Sequence, residues 1–435
     1  MLVPFAYPDY PSEKINHQIE LSQRALADAG MKVICTNAVI ELDDIAPALT
    51  TLRQTEFDLI VAILVSWVEA PLFVATLRPF FSSPLLLWSH TIFTENGVGL
   101  TLGALPAAGV LRETLEEMQA NFAFVYGMPD ETKLVQDILA LARPAAAIRA
   151  LSSARIGLVG YASMGMYTGT IDHTQLRRQV GVEIDQIDQY ELVERFHKIG
   201  DDQVQALRPQ TDAWDLSSLI VNNDLSKMFR MYAAIKFLAE ERRWNALTIK
   251  CQYELSRTFG LAPCMPLSIL GDELVSSCEG DVPLVVSQLI LHYLTGEPTS
   301  YGDLHNVTPT HTLWGACGFA PLSYAAGKPT VNKHTALYEG TLNSSPYKTG
   351  RVTLARLGAH KQQFKMHIAT GTAELPPPFH EVGCPPYPFV NVAMDGDTAA
   401  FMQQLSSQHY ALVYGDVRAE LETVCQLLQI KAIVT

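Results

Sequence analysis

Ser276-Ser-Cys-Glu-Gly-Asp281 leads into an apolar helical run, which emerges at Thr295-Gly-Glu-Pro-Thr-Ser-Tyr-Gly-Asp303. Gly296 followed by Pro298 is a helix stop, so the segment reads strand, helix, strand. That is a βαβ crossover, in which both strands run the same way. Glu279 then closes the first strand and Asp303 the second. As neighbours in one sheet they would sit roughly 5 Å apart, at the edge where open α/β sheets bind ligands. Two carboxylates that close repel each other unless a cation or a shared proton lies between them. A hard divalent metal suits such an oxygen-rich pair, while ordinary surface carboxylates are the plain alternative. Asp281, directly before Val282-Pro283, reads as the N-cap of the helix.

The same alternation extends outward. Upstream, Ala154-Arg-Ile-Gly-Leu-Val-Gly160 is a buried-strand signature, followed by a helix at 225–242, strands at 246–250 and 274–278 and a helix at 282–294. The first 150 residues alternate strands (2–6, 32–36, 59–65, 85–88, 122–126) with amphipathic helices (13–28, 111–120). Short apolar strands separated by helices imply parallel pairing with helices on both faces. Arg143 precedes Pro144 and is biased away from helix, so 143–153 reads as a helix end and connector. Beyond about residue 300, Pro, Gly and Thr become frequent. Strands at 351–357 and 363–369 alternate there with turn-rich segments, including Pro376-Pro-Pro378 and Pro385-Pro386. The expected architecture is two doubly wound, flavodoxin/Rossmann-like α/β domains, 1–150 and 151–300, and an antiparallel β-barrel-like domain, 301–435. A helix at 416–428 and a short strand close the chain.

Composition bounds the partners. The 435 residues are 48% apolar and 17% charged, which permits large cores and excludes disorder. Acidic groups outnumber basic ones, 45 against 31, for a net charge of −14, and no Lys/Arg cluster stands out. Nucleic acid and anionic membrane surfaces are therefore poor partners. The longest apolar stretch, 59–68, is about half a bilayer span. The opening MLVPFAYPDYP has no early Lys or Arg, so no signal peptide is read. Seven cysteines (35, 251, 264, 278, 317, 384, 425) form no CxxC pair, so neither a disulfide framework nor a cysteine zinc site is expected. These features point to the cytoplasm.

Cys278-Glu-Gly-Asp281, the helix behind it and an acidic residue 24 positions after the Glu resemble the metal-binding segment of L-fucose isomerase. L-arabinose isomerase is similar, with a longer gap between its two glutamates. Ser163-Met-Gly165 resembles the Ser-Met-Gly turn of the second domain of L-fucose isomerases. Ser407-Gln-His-Tyr-Ala411, followed by Tyr414-Gly-Asp416, resembles the segment that supplies their histidine ligand. The likeness covers roughly 155–435, and the N-terminal domain only by texture.

The resemblance implies that Glu279, Asp303 and His409 hold Mn²⁺, with Mg²⁺ or Co²⁺ as substitutes. Positions would stay open for two sugar oxygens and a water. It implies aldose–ketose isomerisation of a monosaccharide, or of an anionic derivative, through an enediol, with Glu279 and Asp303 also moving the proton. Arabinose isomerases carry a further histidine near Trp314-Gly-Ala-Cys-Gly318, where Ala316 or Cys317 stands instead, which favours the three-ligand fucose type. Lys250 and Gln252, at the end of a strand, are sugar-contact candidates, and an ammonium at Lys250 would suit a phosphorylated or sulfonated sugar. Met164 reads as pocket lining or core, and His305 and Asn306 as supports of the metal ligands. Trp88 is the candidate for the aromatic that this family sends to a neighbouring subunit's sugar, implying a homo-oligomer, hexameric or trimer-based. Two alternatives stay open: a metal-dependent sugar lyase or epimerase using the same enediolate, and a non-catalytic sugar-binding protein.

Overall fold

The structure, a computed structural model, describes all residues except 210, 218–219, 335–338, 361 and 377–387. Apart from Pro376, the two proline-rich turns lie outside the described residues, as does Cys384. The chain divides into two compact units, Met1–Arg149 with Gln426–Gln429, and Ala150–Cys425 with Ile430–Thr435.

In the first unit, strands β1 (Leu2–Phe5), β2 (Ile60–Leu64), β3 (Leu85–Ser89) and β4 (Phe122–Tyr126) are parallel, in that order across the sheet. Every residue of β1, β2 and β3 is buried, as continuous apolar runs require when helices cover both faces. Helix α1 (Ser12–Asp28) follows β1, and the chain then turns at Gly30. The strand expected at 32–36 is present only as an extended edge beside β1. Leu2 N–H donates to the Ile34 carbonyl at 2.8 Å, and Thr36 N–H to the Leu2 carbonyl at 3.0 Å. That pass puts the reversal of winding between β1 and β2, the doubly wound arrangement.

The helix end expected at Arg143 is not there. Helix α2 (Thr132–Ser153) runs through Pro144. A mid-helix proline costs about 3 kcal/mol, but Ala145, Ala147, Ile148 and Leu151 beyond it are buried, and that burial offsets the loss.

The second unit contains another parallel sheet: β5 (Arg155–Val159), β6 (Glu183–Ile187), β7 (Ala246–Ile249) and β8 (Val275–Cys278), ordered β8-β7-β5-β6. The chain steps outward to β6 and returns to β7, so this sheet too has a switch point, between β5 and β7. The same unit contains a closed antiparallel barrel. Its strands are β9 (Ser300–Val307), β10 (His311–Gly315), β11 (Gly350–His360), β12 (Gln363–Glu374), β13 (Phe389–Met394) and β14 (His409–Tyr414). The ring runs β11-β14-β9-β10-β13-β12 and returns to β11, while β15 (Lys431–Val434) adds parallel to β12. Trp314, Val352, Leu354, Phe401 and Tyr410 belong to its core. Closure leaves these six strands no free edge.

The βαβ crossover expected at 276–303 does not form. Helix α3 (Val282–Thr295) leaves β8 as read, with Asp281 Oδ1 accepting from Leu284 N–H at 3.0 Å and Gly296 (φ +72°) ending it. β9 then enters the barrel between β10 and β14, leaving β8 at the edge of its own sheet. The second half of β9, from Asp303 to Val307, is half-buried to exposed. A strand with one wet end suits an antiparallel barrel, whereas a parallel sheet covered on both faces demands an apolar run. No helix among the described residues is long and apolar enough to cross a membrane.

Candidate metal centre

Asp303 and His409 meet through strand register. β9 pairs antiparallel with β14, and Asp303 stands directly opposite His409, which holds their side chains on one face within contact distance. Glu279 comes from the turn after β8. Asp303 Oδ1 lies 3.1 Å from His409 Nε2, and Glu279 Oε2 lies 3.5 Å from the same nitrogen. One ligand atom from each of the three falls within 4.8 Å of the others. His409 is fully buried and Glu279 nearly so, while the Asp303 side chain is 28% exposed, so the centre opens on the Asp303 side.

His409 Nε2 makes no hydrogen bond among the described residues. It faces both carboxylates without the alignment of a hydrogen bond. Nδ1 lies 2.8 Å from Asp281 Oδ2, a pairing that keeps a proton on Nδ1, so that Nε2 is the nitrogen that can give up its proton and donate a lone pair to an ion. Asp281 therefore does more than the capping read from the sequence. Its Oδ2 also accepts from Arg356 Nη1 at 2.9 Å, and Arg356 Nη2 donates to the Thr168 carbonyl at 2.6 Å. Arg356, on β11, is 1% exposed. Its role carried no local signal, because 75 residues separate it from its partner.

The electrostatics favour a cation here. Burial above all, with Asp303 adding to it, pushes the Glu279 carboxyl well above the usual carboxylate range. Burial opposes charge on His409, yet Asp303 and Glu279 hold its pKa well above the ordinary imidazole value. Burial works against the Asp281 charge too, but Arg356 and His409 keep its pKa below normal. Two carboxylates thus share one imidazole as their counter-charge, and a divalent ion among the three relieves that repulsion. Two carboxylate oxygens and one imidazole nitrogen are a fitting donor set for a hard ion of the manganese or magnesium class.

The backbone at the centre is bent into uncommon conformations. Glu279 has φ +73° and Gly280 φ +65°. A Cβ at Gly280 would stand 2.2 Å from the Tyr161 carbonyl oxygen, so only glycine fits. Ser163 N–H donates to the Glu279 carbonyl at 2.8 Å. The Ser163-Met-Gly165 turn thus packs on the Glu279-Gly-Asp281 turn, and Met164, at φ +52°, is exposed. Positive φ at two non-glycine residues in such proximity is strain of the kind that clusters at functional sites.

The remaining candidates divide. Lys250 and Gln252 follow β7 at the same sheet edge, and both are buried. The Lys250 ammonium pairs with the Glu254 carboxylate, donates to the Gln252 carbonyl at 3.3 Å, and sits 4.6 Å from the centroid of the Tyr161 ring. Burial lowers its pKa. Gln252 Oε1 has no hydrogen-bond partner among the described residues. His305 is exposed, near the Phe389 ring, and is not among the clustered ligand residues. Trp88 is not the exposed aromatic that was expected. It is fully buried, and its Nε1 donates to the Gly127 carbonyl at 3.0 Å, because β3 is covered on both faces. Cys317, not Ala316, faces the centre, with its thiol donating to Glu279 Oε1 at 3.2 Å. Tyr301 stands edge-on to the His409 ring, with centroids 5.2 Å apart.

Fold and site together define an α/β and β-barrel protein with a buried carboxylate–imidazole centre at the C-terminal edge of its second parallel sheet. No family model matches the chain. It is similar to a sulfoquinovose isomerase of Alkalicoccus urumqiensis, 25% identical over 369 residues, which covers 81% of each chain. A sulfoquinovose isomerase of Priestia megaterium is 24% identical, over 90% of this chain and 89% of its own. One from a Clostridium species is 26% identical, over 99% of this chain and 97% of its own.

Proposed function

We propose that this protein is an aldose–ketose isomerase of an anionic sugar, of the fucose isomerase-like kind, with sulfoquinovose as the leading substrate. The observation that carries the reading is the convergence of Glu279, Asp303 and His409 Nε2 around one point, with the imidazole oriented from behind by Asp281. The similarity to three sulfoquinovose isomerases over most of their length supports the sugar and its negative charge.

Glu279, Asp303 and His409 would hold a Mn²⁺-class ion, which would supply Lewis-acid polarisation to the reacting end of the sugar. The chain's own residues do the rest. Glu279, anchored through Cys317 and in a dry turn, takes the proton from one carbon and returns it to the next. Asp303, at the open side, is the carboxylate through which a hydroxyl proton exchanges with solvent. Asp281 and Arg356 keep His409 from rotating. Lys250, which β7 brings to the same edge, is the candidate cation for the anionic group of the sugar, which would take the place of the Glu254 carboxylate at its ammonium.

The test is turnover of sulfoquinovose, followed by NMR in D₂O, with protein stripped by a chelator and then given Mn²⁺. Stripped protein should be inactive, Mn²⁺ should restore the ketose product, and Mg²⁺ or Co²⁺ should restore less. Full turnover by stripped protein would remove the cation from the reading, and two smaller fragments in place of a ketose would make the protein a lyase.

A further inference from the structure

Cys251 follows β7, Cys278 ends β8 and Cys317 follows β10, yet all three thiols converge beside Glu279. Each is buried and free. Their three sulfurs and one Glu279 oxygen lie within 4.8 Å of one another. Cys278 Sγ is 3.8 Å from Cys317 Sγ, and Cys317 Sγ is 3.2 Å from Glu279 Oε1. In a tetrahedral thiolate complex with Zn–S near 2.3 Å, neighbouring sulfurs stand roughly 3.8 Å apart. The Cys278–Cys317 spacing has that length, whereas a disulfide would need about 2.05 Å.

We propose that Cys251, Cys278, Cys317 and Glu279 form a second metal site, selective for a thiophilic divalent ion of the zinc class. It is separate in chemistry from the carboxylate–imidazole centre. Glu279 joins the two, with Oε1 turned to the thiols and Oε2 to His409, so an ion held by the thiols takes Oε1 and withdraws Glu279 from proton transfer. Soft sulfur donors favour zinc over manganese or magnesium, so each site draws its own class of ion. Every thiol that ligates releases its proton to solvent.

The experiment titrates Co²⁺ into reduced, metal-free, full-length protein and follows the near-ultraviolet sulfur-to-cobalt charge-transfer band, which oxygen and nitrogen ligands do not produce. The band should saturate after one ion per chain in His409→Ala, and after no more than two in the wild type, where Co²⁺ also enters the carboxylate–imidazole centre without adding to the band. Zn²⁺ should bleach it, since zinc binds such ligands more tightly than cobalt. In Cys251→Ser/Cys317→Ser the band should fall by at least about half, with the wild-type circular dichroism retained. Should that double variant not fold, either single variant should bind Co²⁺ at least about tenfold more weakly. No band in the folded wild type, or undiminished binding and intensity in the serine variants, overturns the proposal. His409→Ala dismantles the other centre and spares the thiols, so a failure of the isomerase reading leaves this result standing.

Discussion

Asp281 divides two oxygens among three partners: Oδ1 caps α3, and Oδ2 holds His409 and Arg356. Asn caps a helix about as well as Asp, so the cap alone would make Asp281→Asn mild. The buried Arg356 changes that expectation. Removing one partner of a buried ion pair costs about 3–5 kcal/mol, and loss of an orienting carboxylate typically weakens metal binding ~10–100-fold. Asp281→Asn should therefore show both a clear fall in melting temperature and weaker Mn²⁺ binding. A variant that melts with the wild type would mean that Arg356 draws its stability elsewhere. Glu279→Gln and Asp303→Asn separate the two effects. Each should lose ~10²–10⁴ in turnover and bind Mn²⁺ more weakly, yet melt near the wild type, because neither carboxylate is paired with Arg356. Asp303→Asn with full turnover would exclude Asp303 from the chemistry.

Among elements, the turn between β8 and α3 matters most. Gly280 and Gly296 bracket α3, and both have left-handed φ, +65° and +72°. Their surroundings differ. A Cβ at Gly280 would strike the Tyr161 carbonyl oxygen at 2.2 Å, while one at Gly296 would meet nothing within 4 Å. Gly296→Ala should therefore cost only the left-handed penalty, about 1–2 kcal/mol, and leave turnover intact. Gly280→Ala should cost more and reduce turnover, because relieving the clash moves Glu279. Melting curves and rates for the pair check this, and equal effects would show that the close approach at Tyr161 is unimportant. The glycine and the acidic residues around it were legible in the sequence. The partner of β9 was not, because strand periodicity reports which face is buried and not which strand lies alongside.

For the whole molecule, buried histidines set the response to acid. Burial pushes His90 down to about 4 in the first unit, and burial, followed by Lys365, does the same for His367 in the second. Unfolded, each titrates near 6.5. Between those values the unfolded chain binds more protons, so both contributions are fully present above about pH 6.5 and are lost as the pH falls toward 4. At about 1.4 kcal/mol per unit of pKa, each histidine removes on the order of 3 kcal/mol across that window. Melting temperature should fall accordingly from pH 6.5 to 4, and His90→Gln should flatten part of the slope. An unchanged slope would mean that His90 is charged in the folded state.

Composition and periodicity determined the two α/β sheets and the β-rich C-terminal third, because burial of short apolar runs is a local property written into consecutive residues. Glu279 and the histidine at 409 were readable as ligand candidates only through the resemblance of their short segments to a known family, and Asp281 was readable only as a helix cap. Tertiary structure alone decided how they meet. It set Asp303 opposite His409 through barrel register, brought Arg356 to Asp281, buried Trp88, and gathered Cys251, Cys278 and Cys317 from three separate segments. A metal centre is a matter of angstroms between atoms far apart in the chain, and no pattern along the chain records which strands the barrel will lay side by side.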